Sequence, residues 1–173
     1  MTTVINILVR KSRPELFKRL MASIDHDVNV IVHDDTAQRN RHPYDWNLFC
    51  NDLKAQVDEG YFLYADDDDL FVPGSLAKLD DLLNDNPDGL IVQFLRKGTV
   101  KKPTDFMIDN RMIKYGVIGG GCLVLSAKYK NISDWRAIRG ADFFWIQEVN
   151  SMVNLKFCHL VLQIAPNGGN HGK

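Results

Sequence analysis

Residues 61–79 read YFLYADDDDLFVPGSLAKL. The first five are apolar or aromatic, the composition of a buried strand. Four carboxylates follow, Asp66 to Asp69, then a Pro-Gly pair and leucines at 76, 79, 82 and 83. That spacing predicts a helix over 74–84 with all four leucines inside. Four adjacent carboxylates repel one another, and at a half-buried strand end they destabilise the fold unless a cation offsets them. On an extended strand Asp66 and Asp68 face one way and Asp67 and Asp69 the other. A carboxylate pair on one side is a hard-oxygen set suited to Mg2+ or Mn2+. A solvated acidic loop is the plain alternative, disfavoured by the apolar strand and helix on either side. An EF-hand loop is excluded, because its glycine and closing glutamate are missing at the needed positions.

The pattern continues on both sides. Residues 4–9 (VINILV) and 28–32 (VNVIV) read as strands, with a helix between them that starts at Arg13-Pro14 and carries Leu16, Phe17, Leu20, Met21 and Ile24 on its apolar face. A helix over 45–59 precedes the 61–65 strand and ends at Gly60. Residues 90–95 (LIVQFL) form another strand, and 97–116 a polar hairpin or loop. Gly119-Gly120-Gly121 leads into a strand over 122–125, a helix covers 141–152, and a last strand covers 157–164. Strand and helix alternate through the first ~95 residues, which predicts an α/β fold with a mostly parallel sheet covered on both faces. Ligands bind such sheets at the carboxyl ends of the strands. Two of those ends are acidic here, His33-Asp34-Asp35 and Asp66–Asp69.

Composition sets the outer bounds. The chain has 173 residues, 45% hydrophobic and 25% charged, with 21 Lys and Arg against 22 Asp and Glu. This suits one globular domain and argues against a dedicated electrostatic nucleic-acid binder. No apolar stretch approaches the ~20 residues of a membrane span, and the first residues read as a strand rather than a signal peptide. Three widely spaced cysteines, Cys50, Cys122 and Cys158, match no zinc motif and read as reduced thiols of a cytoplasmic protein. A Walker loop, a GxGxxG turn and a Ser-His-Asp order are all missing. His33, His42 and His159 lack partners at metal-ligand spacing.

Several of these segments resemble the GT-A-fold nucleotide-sugar glycosyltransferases, most closely the family 2 enzymes. The 61–79 stretch is similar to that family's strand, Asp-x-Asp motif and following helix. NILVRKSRPELFKRLMASI (6–24) resembles its opening strand and helix, and VNVIVHDD (28–35) its second strand and nucleotide-binding aspartate. VIGGGCLVLSAKY (117–129) resembles the acceptor-side glycine segment, GADFFWIQEV (140–149) the helix that begins with the catalytic acid, and GGNHGK (168–173) the terminal histidine segment.

The resemblance implies a three-layer GT-A sandwich, a minimal single domain over 1–173. It implies metal-dependent transfer from a nucleotide-diphosphate sugar, a UDP-sugar foremost, to an acceptor hydroxyl with inversion. Asp142 would be the catalytic base. Asp34 or Asp35, with Arg13, Asp66 and Asp67, would contact the nucleotide. Asp66, Asp68 and His171 would hold Mn2+ or Mg2+, and Gly120 and Gly121 would approach the sugar or acceptor. Lys11 and Arg39 are further cations near the site edge. The acceptor stays open among a glycan, a small molecule and a modified nucleic acid base, and a homo-oligomer stays open too. Two other readings compete. A nucleotidyltransferase would carry a glycine-bearing loop after the first strand, where this chain has RKSRP. A non-catalytic nucleotide-sugar-binding module would keep the metal site without turnover.

Overall fold

The computed structural model describes residues 3–37, 44 and 46–166. Its elements are β1 (Ile5–Lys11), α1 (Pro14–Ala22), β2 (Asn29–Asp34), α2 (Trp46–Ala55), β3 (Tyr61–Asp66), β4 (Leu70–Phe71), α3 (Ser75–Leu83), β5 (Gly89–Arg96), β6 (Val100–Lys102), α4 (Asp105–Asp109), β7 (Leu123–Ser126), α5 (Ala141–Met152) and β8 (Leu155–Ala165). The sheet order is β2-β1-β3-β7-β5-β8-β4, with β6 paired to β5.

The pairings β1–β2, β1–β3 and β5–β8 are parallel, while β7 runs antiparallel to both β3 and β5. Strands β2, β1, β3, β5 and β8 therefore all point one way. Their carboxyl ends, at Asp34, Lys11, Asp66, Arg96 and Ala165, share one edge. Because β7 is reversed, its amino end joins that edge and brings Gly119–Gly121 there. The predicted mostly parallel sheet is present, with β7 inserted against the grain.

Side-chain alternation explains the layers. Leu8, Phe62 and Tyr64 pack on one face with Leu53, Trp145, Ile146 and Val149 of α2 and α5. Ile7, Val9, Leu63 and Ala65 pack on the other with Leu20, Leu76, Leu79 and Leu83 of α1 and α3. Two predicted core positions fall outside: Met21 and Leu82 are exposed, since each lies at the border of its helix's apolar stripe. The predicted helix over 45–59 is shorter than expected, with a turn at Gln56 and Val57 after Ala55. The 97–116 segment is the β5–β6 hairpin followed by α4.

Candidate active site

Strand β3 ends at Asp66, and the chain turns at once. The Asp69 amide donates to the Asp66 carbonyl at 3.0 Å, and the Asp66 amide donates to Asp69 Oδ2 at 3.0 Å. This turn replaces the expected strand alternation. Asp66, Asp68 and Asp69 all line a cleft of about 810 Å³ at the carboxyl edge of the sheet.

Asp67 goes the other way. It is only 2% exposed and accepts from the Ser12 amide (2.9 Å), the Ser12 hydroxyl (3.0 Å), the Arg13 amide (2.6 Å) and Arg13 Nε (3.0 Å). The Arg13 guanidinium also reaches Asp68 at 2.9 Å. Asp67 and Arg13 thus join the acidic turn to the start of α1, and neither lines the cleft. The turn draws its offsetting cation from the fold itself. Arg10, opposite Asp66 in the β1–β3 register, lines the cleft and binds Asp35 at 2.7 Å.

Asp142 stands on the cleft wall near the glycine segment. It is the second residue of α5. Gly140, with φ 72°, holds the N-cap position and makes no side-chain cap, so Asp142 is not the helix cap. Its Oδ1 accepts from the Phe143 amide at 2.8 Å. Its Oδ2 lies 3.7 Å from where a Cβ on Gly119 would sit. Burial raises the Asp142 carboxyl above the ordinary carboxylate value, and the charge of Asp66 adds to the rise. A carboxylate so placed is a basic proton acceptor.

The floor is aromatic. Tyr64 meets Trp135 at 5.1 Å and Trp145 at 5.4 Å edge-on, and the two indoles stack at 5.0 Å. Gln163 of β8 lines the cleft beside them and donates to the Tyr64 carbonyl at 3.1 Å. A polar stripe of α2 fixes the segment that carries Trp135. Asn47 donates to the Ile138 carbonyl (3.0 Å). Asn51 both donates to the Trp135 carbonyl (3.0 Å) and accepts from its amide (2.8 Å). Lys54, 3% exposed, reaches the Ser133 carbonyl and Asp134. Asn51 and Lys54 match no motif in the sequence, although with Asn47 their i, i+4, i+7 spacing places them on one helix face.

No family profile matches the chain, and no curated protein sequence is similar to it. Solved structures are. A crystal structure of S. aureus TarS 1–349 superposes with a TM-score of 0.70 over 94% of this chain and 60% of that one, at 12% identity. S. aureus TarS itself gives 0.69 over 94% and 36%, at 11% identity. The complex of TarS 1–349 with UDP-GlcNAc gives 0.66 over 94% and 58%, at 13% identity.

The chain has the GT-A fold. It spans three-fifths or less of the length of these structures. Within the GT-A framework the remaining expected residues fall as follows. Asp34 is exposed, outside the cleft lining, and paired to Lys11 at 2.7 Å. Lys11 and Thr36 hold its carboxyl well below the usual carboxylate range. Asp35 also lies outside the cleft lining; it is 2% exposed, and its Oδ1 is buried without a hydrogen bond. Gly120 and Gly121 line the cleft against Trp135 and Gln163. His171, Arg39 and His42 lie outside the described residues. Among the described residues, no three His, Cys, Asp or Glu side chains converge on a metal position, and no helix is long and apolar enough to cross a membrane.

Proposed function

We propose that the chain is a metal-dependent glycosyltransferase that moves a sugar from a UDP-sugar to an acceptor hydroxyl with inversion at the anomeric carbon. The observation that carries this reading is the pairing of Asp142, half-buried and raised in basicity, with the acidic turn in one cleft at the carboxyl edge of a GT-A sheet. S. aureus TarS 1–349 has been crystallised with UDP-GlcNAc and with UDP, which supports the donor class.

The donor set suits a hard divalent cation, since Asp66, Asp68 and Asp69 offer carboxylate oxygens alone. Mg2+ commonly takes one or two carboxylates and completes its shell with substrate phosphates and water, so a three-residue protein cage is not required. Asp66 and Asp68 would hold Mn2+ or Mg2+, which would stabilise charge on the departing diphosphate. Asp142 accepts the proton of the acceptor hydroxyl as its oxygen bonds to the anomeric carbon and the bond to the nucleotide phosphate breaks. Asp35 would act on the nucleoside side through Arg10, the cleft-lining residue that it holds at 2.7 Å, while the exposed Asp34 is paired to Lys11.

Calorimetry with UDP-GlcNAc, with and without Mn2+, tests the donor site. Binding is expected only with the metal and is expected to be lost in Asp68→Ala. Asp142→Asn is expected to keep nucleotide binding and lose transfer. Unchanged UDP affinity of Asp68→Ala in Mn2+ would refute the site assignment.

A further inference from the structure

The charge of the chain is split along its length. Residues 96–139 hold ten Lys and Arg against three Asp, while the whole chain is at −1. Half of those cations are already engaged. Lys101 pairs with Asp105, Lys128 with Asp88 and Arg136 with Glu148, while Lys130 and Arg111 bind main-chain carbonyls. Arg96, Lys97, Lys102, Lys114 and Arg139 have no carboxylate partner among the described residues.

Two of these free cations, Arg96 and Arg139, line the cleft on the wall that carries Asp142. Arg96 ends β5 two residues beyond Phe94, so both side chains share a face. Phe94 in turn lies 4.0 Å from the Cβ position of Gly119, next to Asp142 Oδ2. Lys102 is the cross-strand partner of Phe94 and projects on that same face. Arg139 is three residues ahead of Asp142. Between them Gly140 packs against the ring of Tyr115, which lines the cleft, is 53% exposed and rests edge-on against Phe143 at 5.4 Å.

We propose that this wall is an acceptor subsite for an anionic saccharide, with Arg96 and Arg139 gripping a phosphate or carboxylate and Tyr115 covering a sugar ring. The proposal rests on the transferase reading, because the base must stand beside the acceptor. The acidic turn then takes the donor's diphosphate with its metal, and the two arginines are left for a second anion. Guanidinium groups suit such an anion through paired, charge-assisted hydrogen bonds. Two of the five free cations line this cleft, which suits one or two charges and not a nucleic-acid backbone.

The test is fluorescence-polarisation binding by the full chain of four labelled probes of similar length: oligogalacturonate, phosphorylated oligomannose, neutral oligomannose and oligo-dT. Both anionic glycans are expected to bind about tenfold more tightly than the neutral one at low salt, with the gap closing at high salt. The tighter of the two identifies the anion. Arg96→Gln and Arg139→Gln are each expected to weaken anionic-glycan binding about fivefold while UDP-GlcNAc binding in Mn2+ is unchanged, and Arg139→Lys should recover part of the loss. Equal binding of neutral and anionic glycans would overturn the proposal, as would arginine variants that lose UDP-GlcNAc instead, or tighter binding of oligo-dT than of either glycan. Failure of UDP-GlcNAc to bind the wild-type chain would sink the transferase reading alone, since the glycan probes are read without a donor.

Discussion

Asp67 accepts hydrogen bonds from both the amide and the guanidinium of Arg13, and so turns one of four consecutive carboxylates away from the cleft. The charge of a buried aspartate is offset by a residue that begins α1, and the β1–α1 loop is locked to the β3 turn. The remaining three acids are left facing the site.

Asp67→Ala removes the carboxylate that accepts from the Ser12 amide and hydroxyl and from the Arg13 amide. Breaking a buried, hydrogen-bonded charge pair costs roughly 3 kcal/mol, so the variant should unfold at markedly lower urea concentration than wild type. Asp68→Ala should shift the urea midpoint far less and instead lose metal-dependent nucleotide binding. Equal urea midpoints for the two variants would contradict the division of labour within the acidic turn.

Gly121 sits where β8 crosses the cleft floor. A Cβ there would collide with Gln163 Oε1 and stand 3.2 Å from the Tyr64 carbonyl. Gly121→Ala should therefore push the Gln163 amide off its hydrogen bond to Tyr64. Overpacking of this kind costs about 1–3 kcal/mol. Differential scanning calorimetry should show a lower melting temperature, partly restored by Gln163→Ala in the double variant, because the colliding atom is then gone.

Much of this arrangement was legible in the residues, for identifiable reasons. Strands β1, β2, β3 and β5 are short apolar runs between helices with clear 3.6-residue periodicity, so local pattern and tertiary role agree. The reversal of β7 was not legible. CLVL at 122–125 reads as a strand in either direction, and its place between β3 and β5 is settled by long-range pairing. Strand β4 has two residues and exists only by pairing with β8. In the site, four consecutive acids announced a charge problem, but not which one would turn inward. Strand alternation fails there because the chain closes a hydrogen-bonded turn at Asp66 and Asp69. Arg96 and Arg139 are 43 positions apart in sequence and meet at the cleft only through the fold.

Asn51 supplies the firmest hold on the Trp135 segment, with one donated and one accepted bond to the same residue's main chain. Asn51→Ala should leave both main-chain groups unpaired, at about 1–3 kcal/mol. The stacked Trp135–Trp145 pair would loosen with it. Near-ultraviolet circular dichroism should report weaker tryptophan bands at a temperature where far-ultraviolet signal is intact. Asn51→Asp keeps the acceptor and should lie between the two.

Asp142 links stability and pH in opposite senses. Its carboxyl is raised in the folded chain, first by burial and then by Asp66. An acid raised on folding favours the folded state while it is protonated. That contribution is complete below the unfolded value of 3.8 and is lost as pH rises through the folded value. At neutral pH the ionised Asp142 therefore costs stability, and Asp142→Asn should melt a few degrees higher than wild type. At pH 3, where both side chains are neutral, the melting temperatures should converge. Catalysis runs the other way, because the base must be ionised: transfer should rise with pH along an acidic limb displaced above the ordinary carboxylate range. Asp66→Asn removes the charge that helps raise Asp142, so that variant's Asp142 should titrate lower. Carbon-13 NMR of the labelled Asp142 carboxyl reads this directly, and an unchanged titration midpoint in Asp66→Asn would show that the two carboxylates do not sense each other across the cleft.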